Sequence, residues 1–271
     1  MQDSEIARRG LVLLGCGKMG SAMLEGWLAR GLPAASVWVK DPDPSDWLAA
    51  QGVHLNADLP QDPAVVLVAV KPQVMAQALP VLAPLGGGRT LFLSVAAGIP
   101  ISAFETQLGS DTPVIRAMPN TPAAIGRGIT AIIGNDSTRE VQLQMAEALL
   151  SAVGEVVRLE EEGQMDAVTG VSGSGPAYVF HMIECLAAAG AVEGLDPVLA
   201  LRLARATVAG AGALAQETGT EPAQLRRNVT SPNGTTQAGL DVLMNAERGL
   251  PPLMRATVAA AAARSRELAD G

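Results

Sequence analysis

Lysine is scarce in this chain, occurring only at positions 18, 40 and 71, so the C-terminal two-thirds contain none. Aromatic residues make up 3% of the sequence, too few for the stacked side chains on which single-stranded nucleic acids lie. Basic residues number 19 against 27 acidic ones, a net charge of −8. That balance excludes a polyanion, nucleic acid or anionic membrane, as the natural partner. Cysteine occurs twice, at Cys16 and Cys185. Each lies in an apolar run where a free thiol behaves as a small hydrophobe, and no disulfide framework is implied. The longest uninterrupted apolar stretches, such as residues 65–70 and 258–263, fall short of the ~20 residues of a membrane span. The first ten residues, MQDSEIARRG, mix charges and lack the apolar centre of a signal peptide. A cytoplasmic protein with no nucleic-acid or membrane partner is expected.

What the chain does have is length and aliphatic bulk. At 271 residues with 48% hydrophobic content, it can form two domains at roughly 150 residues each, with cores of Ala, Val and Leu. After a polar tail at 1–9, short aliphatic runs at 11–14, 37–39, 65–70, 90–95 and 114–117 alternate with helical patterns near 18–30, 45–51, 73–83 and 101–108. Strands alternating with helices predict a parallel sheet covered on both faces. Further strands are expected at 129–133 and 153–159, around a helix at 138–151. The pattern changes at Glu160-Glu161-Glu162-Gly163, where the domain boundary is placed. Beyond it everything reads as helix, near 175–191, 197–218, 222–228, 235–247 and 251–268, with Ala- and Gly-rich faces that allow close approach. A helical domain of that size often completes its core with a second subunit.

The first strand runs directly into GCGKMG, Gly15 to Gly20. In G-x-G-x-x-G spacing at a strand-to-helix junction, the glycines allow a tight turn, backbone approach to a pyrophosphate and close helix-on-strand packing. The predicted class is therefore α/β: a Rossmann-like dinucleotide-binding domain over 10–161, followed by an all-helical domain over 162–271. The second strand ends in Lys40, Asp41 and Asp43, offering a cation for a 2′-phosphate as well as carboxylates for a ribose 2′-hydroxyl. Local chemistry leaves NAD against NADP open. Ala69 to Pro72 (AVKP), Ser94 to Gly98 (SVAAG) and Arg116 to Pro122 (RAMPNTP) end strands on the same sheet edge, where ligands of open α/β sheets bind.

The helical part carries two unusual stretches, VSGSGPAY (171–178) and SPNGTTQAG (231–239). Each places Ser, Gly and Pro before a helix, a composition that fits a capping turn or a carboxylate cradle of amides and hydroxyls. No lysine lies there, and His181 falls inside a helix pattern where a packed, satisfied histidine is expected. Hydride transfer to a ketone ordinarily uses a positioned lysine or histidine as proton donor. An imine, protonated on nitrogen before hydride arrives, removes that demand.

The ordered set GCGKMG, AVKPQ, SVAAGI, IRAMPNTP, AVTGVSGSGPAYVF and NVTSPNGTTQAGL resembles pyrroline-5-carboxylate reductase from about Gly10 to Leu268. The resemblance implies reduction of the C=N bond of Δ1-pyrroline-5-carboxylate to L-proline, the last step of proline biosynthesis, with NADPH, or NADH as the alternative cofactor. It implies that Gly15, Gly17, Lys18, Met19 and Gly20 hold the pyrophosphate and that Asp41 and Asp43 meet the adenosine ribose. Asn56 would lie by the adenine, Ala69, Lys71 and Ala97 would follow the cofactor toward its nicotinamide, and Asn228 would reach it from the helical domain. For the substrate it implies Glu162, with Ser231, Gly234, Thr235 and Thr236 around the carboxylate and Thr236 as the catalytic hydroxyl facing the ring nitrogen. No metal is implied. A homodimer through the helical domain is expected, assembled further into a decamer in some relatives. Asn233, where glycine is common, and Asp41, where a small hydroxyl residue is common, depart from the family. The rivals are a related dehydrogenase of another small cyclic imino acid and a non-catalytic NAD(P)-binding regulator. A 3-hydroxyacid dehydrogenase would need a lysine in the helical domain, which is absent.

Overall fold

Alternate residues of the central strands belong to different cores. The structure, a computed structural model, describes residues 4–270. Its strands are β1 (Leu11–Leu14), β2 (Val37–Lys40), β3 (His54–Leu55), β4 (Val65–Val68), β5 (Leu91–Ser94), β6 (Val114–Met118), β7 (Gly128–Gly134) and β8 (Gly154–Arg158). They form one sheet in the order β3-β2-β1-β4-β5-β6-β7-β8. Leu11, Leu13, Val65 and Leu67 pack into one core with Met23, Leu24 and Trp27. Val12, Leu14, Val66 and Val68 pack into the other with Met75, Leu82 and Phe104. A strand buried on both faces needs no polar alternation, which is why these runs are continuously apolar.

The helices are α1 (Glu5–Arg9), α2 (Lys18–Ala29), α3 (Asp46–Ala49), α4 (Met75–Ala78), α5 (Ile101–Leu108), α6 (Glu140–Leu150), α7 (Gln164–Val168), α8 (Gly175–Val192), α9 (Pro197–Thr218), α10 (Pro222–Asn228), α11 (Thr235–Leu243) and α12 (Leu250–Asp270). Between α2 and α6, the buried Trp27 Nε1 donates to the Leu149 carbonyl at 2.9 Å.

Several expectations need correction. Residues 5–9 are not a tail: Ser4 caps α1 through its hydroxyl, Arg9 pairs with Glu5 and Asp62, and Ile6 is buried. The sheet is parallel except between β6 and β7, which pair antiparallel. The connection between them holds only a 3₁₀ turn, Thr121–Ile125, too short for the crossover that parallel strands require. The helix expected at 73–83 is broken into 3₁₀ and α turns, Pro72–Leu85, because Pro80 and Pro84 lack the amides a continuous helix would use.

Two compact units emerge, Met1–Gly173 with Ala261–Gly271, and Ser174–Ala260. These compact units divide after Gly173. In the second unit α8 has no buried residue and α9 has only Ala200 and Ala204. Phe180, Leu186, Val192, Leu203 and Leu214 are exposed in the single chain. Cys185 and His181 are exposed too, with His181 Nδ1 2.9 Å from Glu184 Oε2. The apolar packing expected at both positions is not found within one chain. By length and composition, Gln164–Val192 and Pro197–Thr218 are each apolar enough to cross a membrane. Counting uninterrupted apolar runs missed this, because scattered polar residues break the runs without lowering the average.

Candidate active site

Glycine placement builds the first half of the site. Gly15 ends β1 at φ 84°, and a Cβ there would lie 2.9 Å from the Ala69 carbonyl oxygen. At Gly20 a Cβ would lie 2.5 Å from the Gly15 carbonyl oxygen, so only glycine lets α2 start this close to the loop. Gly17, the N-cap residue of α2, faces open space with nothing within 4 Å of its Cβ position. The three positions thus serve the turn, the packing and the open approach separately. The first amide of the helix to bond backward is that of Ser21, to Gly17, which leaves the preceding turn's amides as donors for an anion. This loop lies at the C-terminal end of β1, between β2 and β4, where the strand order reverses. Residues fitted to a dinucleotide pyrophosphate are therefore present where a doubly wound sheet binds one.

Beside the loop opens a cleft of about 600 Å³ lined by Cys16, Gly17, Lys18, Asp41, Asp43 and Trp47, among others. Asp41 spans it: its carboxylate accepts from the Cys16 amide at 2.6 Å and the Asp43 amide at 2.9 Å. Burial, with the Asp41 charge adding to it, pushes the Cys16 thiol up to about 11. Asn56, at φ 53°, closes a two-bond ring with the Asp41 backbone, accepting at 3.0 Å and donating at 2.9 Å. It is brought beside Asp41 by β3, a two-residue strand that sequence patterning missed. Lys40 Nζ donates to the Asn56 carbonyl at 3.2 Å.

Toward the other end of the sheet edge, Ala69 follows β4 with its amide on the Leu14 carbonyl, and Lys71 is the exposed N-cap of the next turn. Ala97 is half-buried in the turn before α5. Glu162 is held beside that helix: its Oε1 accepts from Arg116 at 2.8 Å and from the Ile101 amide, the first of α5, at 2.9 Å. Arg116, buried in the middle of β6, was not singled out as a site residue. Its signal was a charge inside an otherwise apolar strand, VIRAM.

In the second unit, Ser231 and Gly234 form the turn that starts α11, with Gly234 as N-cap and its amide on the Ser231 carbonyl at 3.0 Å. A Cβ on Gly234 would meet the Ser231 hydroxyl at 2.3 Å, so glycine keeps that hydroxyl at the helix start. Asn233 takes up the left-handed bend at φ 58°, a conformation asparagine tolerates. Thr235 and Thr236 open the helix, both exposed. Asn228 closes α10, its Oδ1 accepting from Gln224 at 2.7 Å. The other stretch, VSGSG, is not a loop before a helix. Residues Thr169–Gly173 are π-helical and run from α7 into α8, with Thr169 and Ser172 hydroxyls donating to carbonyls one turn back. Pro176 explains the wide turn, since it lacks an amide and its ring displaces the carbonyl four residues earlier. This segment therefore lacks the free helix start that SPNGTT has. Among the described residues no cluster of His, Cys, Asp and Glu could hold a metal.

Residues 162–268 match the pyrroline-5-carboxylate reductase dimerisation family, and residues 10–98 match the coenzyme F420-dependent NADP oxidoreductase family. A pyrroline-5-carboxylate reductase of Pseudomonas aeruginosa is 40% identical over 266 residues, covering 96% of this chain and 97% of the relative. The chain belongs to the pyrroline-5-carboxylate reductase family. A family member from Synechocystis is 48% identical over 206 residues, 75% of this chain and 74% of its own length. Among solved structures, the Coxiella burnetii pyrroline-5-carboxylate reductase superposes with a TM-score of 0.90 at 32% identity, covering 96% and 98% of the two chains. The Plasmodium falciparum pyrroline carboxylate reductase, solved with NADP bound, gives 0.83 at 25% identity, covering 97% and 99%. The Rossmann-like domain followed by a helical dimerisation domain is thus the fold of the family.

Proposed function

We propose that this chain reduces Δ1-pyrroline-5-carboxylate to L-proline, the last step of proline biosynthesis. The observation that carries the reading is family membership along nearly the whole chain, 96% of it against the Pseudomonas relative. When bound, a reduced nicotinamide dinucleotide supplies the hydride; NADPH is the expected cofactor, as the NADP-bound Plasmodium relative supports, with NADH as an alternative. The residues Gly15, Gly17, Lys18, Met19 and Gly20 hold its pyrophosphate, Asp41, Asp43 and Asn56 its adenosine, and Ala69, Lys71, Ala97 and Asn228 the remainder.

The start of α11 suits the substrate carboxylate. The Ser231 hydroxyl and the first amides of the helix are donors, and the helix dipole favours an anion there. Thr236 orients the ring nitrogen, which carries the proton while hydride adds to C5; the N–C5 π pair becomes the amine lone pair, and no lysine is needed. Glu162 contacts the substrate through Oε2, the oxygen left without a partner among the described residues. Positioning supplies most of the rate. The exposed apolar faces of α8 and α9 are covered by a second copy, a homodimer, rather than by lipid, in agreement with the dimerisation family match. A decamer of such dimers and a cytoplasmic location complete the proposal.

Purified protein is incubated with pyrroline-5-carboxylate and NADPH or NADH while reduced-nicotinamide absorbance is followed. A related cyclic imino acid serves as the competing substrate. Thr236→Ala should lower turnover by about 100-fold with an unchanged circular dichroism spectrum. Wild-type turnover in that variant would remove Thr236 from the mechanism, and no consumption by the parent protein would overturn the assignment.

A further inference from the structure

Charge in the cleft beside the glycine-rich loop is unbalanced. Glu25, Asp41 and Asp43 line it, against a single ammonium, Lys18. The other nearby lysine, Lys40, does not line the cleft and is engaged with the Asn56 carbonyl. Asp41 is also fixed in place. Its two carboxylate oxygens hold the Cys16 and Asp43 amides at 2.6 and 2.9 Å, and the Asn56 side chain holds its backbone on both sides. Swinging the carboxylate away from an incoming phosphate would leave the Cys16 amide of the glycine loop without this acceptor. The acid is therefore part of the loop's own structure.

We propose that Asp41 and Asp43 are selectivity-determining residues that penalise a 2′-phosphate on the adenosine ribose and let NADH bind alongside NADPH. The inference rests on the assignment of this cleft to the adenosine end of the cofactor, and on that family match over residues 10–98. A ribose 2′-hydroxyl donates to a carboxylate, whereas a 2′-phosphate placed there meets like charge. A unit charge a few ångströms from a phosphate, screened between bulk and surface values, changes affinity by about tenfold.

The test is calorimetric titration of the full chain with 5′-AMP and with 2′,5′-ADP, which differ only in the 2′-phosphate at issue and require no turnover. Asp43→Asn, at an exposed position, should improve 2′,5′-ADP binding relative to 5′-AMP by about tenfold. Asp41→Asn keeps an acceptor for the Cys16 amide and should move the ratio the same way. Raised salt should narrow the gap in the parent protein. If 5′-AMP binds but neither substitution moves the ratio, the selectivity proposal falls and the site stands. If neither nucleotide binds the parent chain, both fall.

Discussion

The Arg116–Glu162 pair offers the sharpest test of how the sheet edge is held. Arg116 has a side chain 7% exposed, and Glu162 one 34% exposed, with 2.8 Å between Nη1 and Oε1. The same oxygen accepts the first amide of α5 at 2.9 Å. Glu162→Ala therefore leaves a buried guanidinium without its counter-charge and a helix-start amide without its acceptor. A hydrogen bond to a charged group contributes about 1.5–3 kcal/mol and a neutral one about 1 kcal/mol. Glu162 is partly in water, so its share is discounted for screening. The expected loss is about 2 kcal/mol, or roughly 4–8 °C in Tm for a domain of this size. Glu162→Gln keeps an acceptor of the same shape and should lose about half as much. Arg116→Met combined with Glu162→Ala should cost less than the sum of the two single changes. Differential scanning calorimetry at neutral pH measures the four variants against the parent. A Glu162→Ala Tm within about 1 °C of the parent would refute the argument, given the several degrees expected from such a pair. Glu162→Gln also separates two roles: a raised KM for the imine, measured well below its Tm so that the protein is fully folded, would locate the substrate contact on this carboxylate.

Three further outcomes are expected. Gly20→Ala, whose Cβ would press on the Gly15 carbonyl oxygen at 2.5 Å, should cost about 1–3 kcal/mol and weaken dinucleotide binding in the same titrations. Arg158 holds the carboxyls of Glu140 and Glu147 below their ordinary 4.5, chiefly by hydrogen bonds. Their contribution to stability is then fully present above 4.5 and is lost as pH falls through the lowered values; carboxylate NMR titration should show both midpoints returning upward in Arg158→Gln. The Cys16 thiol, with its pKa near 11, should alkylate slowly at neutral pH, with a rate still rising as pH approaches 11. A plateau by pH 9 would contradict the burial described.

Much of the first unit could be read from local spacing. The passage from Leu11–Leu14 through GCGKMG into α2 is specified by residues adjacent in sequence, as are the both-sided apolar strands β4 and β5. Where the reading fell short, the deciding partner is distant. β3 has two residues and owes its existence to pairing with Trp38 and Val39. The antiparallel β7 follows from the reach of a short connection. Arg116 reads as an interruption of a strand until Glu162, 46 residues on, is placed against it. SPNGTT was legible because its glycine, asparagine and helix start are contiguous, but VSGSGP has a similar composition and forms a π-helical turn instead. Composition alone does not distinguish a helix start from a helix widened by proline. The exposed His181 and Cys185 were misjudged for a related reason: an apolar helix pattern predicts that a face is covered, without saying that its own chain covers it.

The last helix bears on how the protein is made. Residues 261–271 belong to the first compact unit, where Ala262 and Ser265 are buried, the Ser265 hydroxyl donates to Asp166 at 2.7 Å, and Leu268 lies against Gly98. The nucleotide-binding unit is thus discontinuous in sequence, with Ser174–Ala260 inserted into it. During vectorial synthesis its sheet can form early, but its final packing must wait until the ribosome has released almost the whole chain. Nonsense alleles truncated anywhere after Gly173 would therefore damage the domain that looks untouched on a linear map.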